Sequence, residues 1–232
     1  MRLDRYISRF VGLSRSQSRS IIRNGRVTVN GLKIRDVSLD VRLESEVSLD
    51  GTRVEAFDTV TIMLNKPAGY VCSRSESEGP KVFELIQGNF VDELSIAGRL
   101  DKDATGLVIL SNDGKFVHTV ISPRKKVEKE YHVCTELKVS DEQLTCMRQG
   151  LMIGPEEFSR PLAVERRGDK ELTITLIEGR FHEVKRLVKA SGNTVIRLHR
   201  RRIGNLLLPT SLEEGSWVFL DEESLKKITG AL

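Results

Sequence analysis

The sequence predicts an α+β protein in two parts: a small N-terminal helix-helix-hairpin module, and a larger domain on a mixed, largely antiparallel sheet. Three observations carry that reading. Up to about residue 45, apolar residues keep helical spacing and then alternate around an Asn-Gly turn. From Val60 onward, short β-rich runs are interrupted by helical segments without regular βαβ alternation. The chain has 232 residues, 39% of them hydrophobic, which is enough for one small core and one medium one.

The first element follows from Leu3, Ile7 and Phe10 at helical spacing, closed by Gly12. Ser14 and Gln17 make a Ser-x-x-Gln capping box that opens a second helix, which stops at Asn24-Gly25. Arg15, Arg19 and Arg23 fall four residues apart and share one face of that helix, while Ile21 and Ile22 face a core. Val27 and Val29 then alternate with polar residues ahead of Asn30-Gly31, a strong hairpin signal, and Leu32 and Ile34 sit on the return strand. These elements define a module over residues 1–45. Residues 46–59 read as the end of the module and a linker, with an Asp50-Gly51 turn, and residues 60–232 as the larger domain. In that domain, strands are expected at 61–64, 107–110, 131–135, 172–176, 194–198 and 206–208. Helices are expected near 81–87, 115–121, 141–150 and 181–190.

The net charge is only +4, but it is unevenly distributed. Residues 1–35 hold eight arginines and Lys33 against the single acid Asp4. So one-sided a cluster points to a polyanionic partner, because cations that neutralise phosphates release condensed counterions. Cys72, Cys134 and Cys146 are odd in number and lack metal-type spacing, and His118, His132, His182 and His199 are scattered. Neither a disulfide framework nor a metal site is therefore expected. No apolar run is long enough to span a bilayer and no signal segment opens the chain, so a cytoplasmic protein without a membrane partner is expected.

The richest stretch is Ala97-Gly98-Arg99-Leu100-Asp101-Lys102-Asp103-Ala104-Thr105-Gly106, followed by the apolar run 107–110 and the turn Asn112-Asp113-Gly114. It presents one carboxylate, Asp101, on a glycine-bounded loop just ahead of a buried strand, with Arg99 two residues before it. The string from Gly98 to Gly114 resembles the catalytic motif of the pseudouridine synthases, in the RsuA-type branch. Asn65-Lys66-Pro67-Ala68-Gly69-Tyr70-Val71-Cys72-Ser73, Glu128-Lys129-Glu130-Tyr131 and the run Glu178 to Arg186 match that branch in the same order. Residues 1–45, with their arginine stripe, resemble the small RNA-binding module of ribosomal protein S-four.

The resemblance implies an isomerase that breaks the bond from ribose to N1 of uracil, turns the base and joins the ribose to its C5. Such a reaction needs no metal or cofactor. It needs a carboxylate, an extruded nucleotide and a pocket that retains the free base. By the same resemblance Asp101 is the catalytic carboxylate, Tyr131 packs against the target base, and Lys185 is the cation that pairs with Asp101. Attack on the ribose, attack on the uracil and removal of a sugar proton all remain open to Asp101.

RNA contacts are expected from Arg99, Arg15, Arg19, Arg23, Arg180 and the basic run of Arg197, His199, Arg200, Arg201 and Arg202. Lys66 and Pro67 are expected to shape the wall of the site beside the RNA. Two residues depart from the family pattern: Ala104 stands where Thr or Ser is common, and Glu183, where Gln is common, brings negative charge near Lys185. The expected substrate is a uridine of 16S rRNA (the uridine 516 type) in a partly assembled small subunit, met by a monomer. A 23S uridine and a non-catalytic ribosome-assembly binder are the rival readings.

Overall fold

The computed structural model describes residues 1–75 and 79–230. The chain divides into two compact units, Met1–Val60 with Gln87–Glu93, and the remainder.

In the first unit, α1 (Leu3–Val11) ends at Gly12 and α2 (Arg15–Arg23) opens on Ser14. Both halves of the capping box form, with the Gln17 amide donating to Ser14 Oγ and the Ser14 amide to Gln17 Oε1. Four strands follow: β1 (Val27–Val29), β2 (Leu32–Ile34), β3 (Val47–Leu49) and β4 (Thr52–Arg53), in the antiparallel order β2-β1-β3-β4. Leu3, Tyr6, Ile7, Ile22, Val27 and Val47 are fully buried between helices and sheet.

Two sequence expectations are corrected here. The module does not stop at residue 45, because β3 pairs with β1 through Val29 and Val47, and Asp50-Gly51, expected as a turn, closes a second hairpin. Asp50 and Gly51 both have positive φ, as such a tight turn requires. Residues 87–93, expected in the larger domain, belong to this unit, with Phe90 packed edge-on to Phe57 and Glu93 bound by Arg9 Nε at 2.8 Å.

Asp4 faces the arginine stripe from α1. Its side chain is fully buried and accepts from Arg2, Arg15 and Arg19 at 3.3, 3.0 and 3.0 Å. Burial alone would raise its pKa, but the three guanidinium groups outweigh it and hold the carboxyl at about 2.

The second unit contains β5 (Thr61–Lys66), β6 (Ser95–Ile96), β7 (Thr105–Ser111), α3 (Gly114–Ile121), β8 (Lys129–Thr135), α4 (Asp141–Gln149) and β9 (Leu151–Gly154). It continues with β10 (Glu157–Ser159), β11 (Ala163–Gly168), β12 (Glu171–Leu176), α5 (Glu183–Ala190), β13 (Val195–Ile203), β14 (Leu206–Leu207), β15 (Trp217–Phe219) and α6 (Glu222–Thr229). The main sheet runs β11-β12-β8-β13-β7-β5-β15, with β14 beside β13 and β6 beside β7. Its pairings are antiparallel except for β13 with β7.

Every residue of β5 and β7 is buried, which fits the unbroken apolar stretches 62–64 and 107–110 at their centres. Met63, Leu107 and Ile109 pack with Val120, Val127 and Ile203 in one core. The expected helix at 81–87 is instead a single 3-10 turn at Val82–Leu85.

Candidate active site

The segment from Ala97 to Ala104 leaves β6, passes through Asp101 and enters β7, and two buried cations fix its backbone. The first comes from β13. The parallel pairing sets Arg200 beside Gly106, and a Cβ on Gly106 would lie 2.4 Å from the Arg200 carbonyl oxygen, so glycine alone allows this approach. The guanidinium of Arg200, only 1% exposed, then donates to the carbonyls of Leu107 (2.8 Å), Gly98 (2.8 Å) and Arg99 (3.2 Å). The second cation is Lys66 at the end of β5, fully buried, whose Nζ donates to the carbonyls of Pro67, Lys102 and Ala104 at 3.0, 3.1 and 2.6 Å. Burial pushes the Lys66 pKa down, opposed by the negative groups around it.

Held in this way, Asp101 keeps its carboxylate half-buried at the rim of a cavity of about 120 Å³. Lys185, on the first turn of α5, places Nζ 3.1 Å from Asp101 Oδ2 and 2.6 Å from Asp103 Oδ1. Burial works against the charged form of Lys185, but its hydrogen bonds to Asp103 and Asp101 outweigh that and its pKa is raised. Burial likewise acts to raise the pKa of Asp103, and Lys185 lowers it overall. His182, the residue that opens α5, lies with Nε2 3.5 Å from Asp101 Oδ1.

The opposite wall of the cavity is β8. Tyr131 is buried there, and Lys129, two residues earlier on the same strand face, lines the cavity with it. Lys129 Nζ donates to the carbonyls of Val127 (2.9 Å) and Ile177 (3.3 Å). Burial, reinforced by Arg200, pushes its pKa down to about 8. The arrangement is a carboxylate ion-paired with a lysine, facing an aromatic ring across a space on the scale of one small ring. Such a site suits chemistry at a sugar carbon with retention of a flat base.

Residues 60–190 match the RNA pseudouridylate synthase family and residues 1–56 match the S4 domain. The chain belongs to the RNA pseudouridylate synthase family. It is 36% identical to the ribosomal small subunit pseudouridine synthase A of Haemophilus influenzae over 230 residues, covering 98% of this chain and 99% of that one. The Escherichia coli K12 protein of the same name is also 36% identical, with 98% and 100% covered. An RNA pseudouridine synthase of Aquifex aeolicus is 37% identical, with 98% and 96% covered. A crystal structure of a pseudouridylate synthase superposes with a TM-score of 0.70 at 35% identity, covering 98% of this chain and 99% of that one.

Of the residues singled out in the synthase sequence, Asp101, Tyr131, Arg99 and Arg180 line this one cavity, and Lys185 reaches it through its ion pair with Asp101. Arg180 is also tied to Glu178 and to the carbonyl of Phe158. Lys66 and Arg200 differ from expectation. Both were expected to meet RNA; both are buried with their N–H groups donating to backbone carbonyls, mainly of the Asp101 segment, and Arg200 also lines the cavity.

Arg201 is exposed on the next position of β13, and Arg23 is exposed on α2. Arg15 and Arg19 share Asp4. Glu183 does not point its charge at Lys185; its carboxylate accepts from Ser159 Oγ at 2.7 Å and from the Arg180 amide at 3.1 Å. Ala104 is fully buried with its carbonyl on Lys66.

Two cavity residues, His182 and Lys129, fall in matched motifs but were given no site role of their own from the sequence. Lys129 was legible in principle, because strand alternation places it on the face of Tyr131. Outside the site, His132, Cys134 and Glu171 bring three donor atoms within 4.8 Å on β8 and β12, but Arg197 stands opposite Cys134 and opposes a dication.

Proposed function

We propose that this synthase isomerises one uridine of small-subunit rRNA, of the 16S uridine 516 type, with Asp101 as the catalytic carboxylate. The observation that carries the reading is the ion pair of Asp101 with Lys185, 3.1 Å long, beside a cavity lined by Asp101 and Tyr131. Full-length similarity to the small-subunit enzymes of Haemophilus influenzae and Escherichia coli supports the choice of RNA.

In the proposed reaction the target nucleotide is extruded and its uracil enters the cavity against Tyr131. Asp101 attacks C1′ as the bond from C1′ to N1 breaks, and the ester so formed is released when C5 of the turned uracil displaces the carboxylate from C1′. The freed uracil turns within the cavity, and C1′ joins C5. The proton on C5 leaves and N1 ends protonated, so atoms balance without a redox partner or cofactor. Lys185, 3.1 Å from Asp101 Oδ2, gives the carboxylate a fixed ion-pair partner in the pocket. The arginine-rich S4 unit supplies affinity for the phosphate backbone.

The proposed setting is a monomer working in the cytoplasm on a partly assembled small subunit. Pseudouridine mapping in rRNA from cells lacking the protein tests the target. Loss of one 16S site is expected, and loss of a 23S site alone would contradict the assignment.

A further inference from the structure

Phe181 has no part in the reaction outlined above, yet it stands beside Asp101. At 69% exposure it is the most exposed aromatic residue among those described. Its ring lies flat on the His182 imidazole, with centroids 3.7 Å apart and planes 21° from parallel. His182 in turn reaches to within 3.5 Å of Asp101 Oδ1. It does so from a left-handed backbone, φ +50, which non-glycine residues adopt at a cost and which recurs in ligand clamps.

The two rings border an open cavity of about 750 Å³ that adjoins the smaller one and shares Asp101 and Arg99 with it. Val71, Ile96 and Ile121 make its apolar walls, and Lys102 stands at its rim. An exposed aromatic face over an apolar hollow rimmed by cations is a surface for an unstacked nucleobase, with its phosphate directed to the rim.

We propose that Phe181, backed by His182, is the stacking platform for a second nucleobase, one next to the uridine that enters the Asp101 cavity. The proposal rests on the reading that a uridine of small-subunit rRNA enters that cavity. Extruding a nucleotide breaks its stacking on both neighbours, and a platform outside the cavity replaces one of those stacks. Because every base has a π face, the platform accepts any base at that position.

The test uses the full-length protein and transcribed small-subunit rRNA under single-turnover conditions. Phe181→Ala and Phe181→Leu are expected to lower pseudouridine formation by about tenfold or more, the scale of one base-aromatic stack, while Phe181→Tyr retains it. Wild-type enzyme is then given rRNA, assembled by ligation, with an abasic nucleotide at each position flanking the target. One abasic position should reproduce the loss, and combining it with Phe181→Ala should add nothing further. Wild-type rates in the Leu variant, or abasic losses that add fully to the Ala loss at every position, overturn the platform alone. Absence of pseudouridine with the wild-type enzyme overturns the underlying target assignment and the platform with it.

Discussion

Lys66 turns its charge inward, onto the backbone beside Asp101. Its ammonium is fully buried and satisfied by three backbone carbonyls, two of them, Lys102 and Ala104, in the Asp101 segment. Lys66→Met leaves those acceptors unpaired, and a loss of stability of about 1–3 kcal/mol is expected, with a slower reaction as the segment relaxes. RNA affinity should keep its salt dependence, since a phosphate contact would remove about one unit from the slope. Measuring the rate and the slope together decides between a buried tie and a phosphate contact; a slope lowered by one unit would restore the RNA contact expected from the sequence. At this scale the sequence identifies which residue types gather, but not what their charges face. Arg200 and Arg201 are neighbours in a basic run, yet strand alternation buries one and exposes the other.

The N-terminal helices were legible because their signals are local: a capping box, a terminating glycine and apolar residues at helical spacing. What that reading lacked was Asp4, whose burial under Arg2, Arg15 and Arg19 depends on how α1 and α2 pack. The drop of its pKa from 3.8 to about 2 corresponds to about 2 kcal/mol of stability. Because the folded pKa is the lower one, this contribution is complete above pH 3.8 and is lost as pH falls through about 2. Asp4→Asn should remove it at neutral pH, and the variant should show a flatter loss of stability below pH 4 in denaturant titrations. Identical acid profiles for the two proteins would contradict this.

The same packing separates the three arginines. Arg23→Ala is expected to lower the salt slope of RNA binding by about one unit. Arg15→Ala and Arg19→Ala should lower it less and destabilise the unit. Equal slope losses for all three would show that Asp4 does not hold its partners. Edge elements were the least legible: β11 carries Glu165, Arg166 and Arg167 in sequence, and β15 has three residues, so neither shows apolar alternation.

On the scale of the whole molecule, four segments distant in sequence meet at the one parallel junction of the sheet, where β13 runs beside β7. The sequence shows each segment and their order, but the meeting depends on the strand order β8-β13-β7-β5, which no local pattern encodes. Only the resemblance to a known family placed Lys185 against Asp101 ahead of the structure. The small cavity, about 120 Å³, is on the scale of one base, whereas the S4 unit carries arginines of its own. Folded small-subunit rRNA is therefore expected to react much faster than free uridine or a short oligonucleotide, in single-turnover comparisons at equal uridine concentration. Equal rates would leave the S4 unit without a targeting role.

The central claim is that the Asp101 carboxylate performs the isomerisation while phosphate contacts elsewhere supply the affinity. Asp101→Asn keeps the shape of the side chain and removes its charge, and one such change contributes little to an interface dominated by phosphates. Pseudouridine formation and rRNA affinity measured on the same preparation of this variant test the claim most directly. The expected result is no pseudouridine with affinity unchanged; pseudouridine formed at the wild-type rate would contradict the assignment of Asp101.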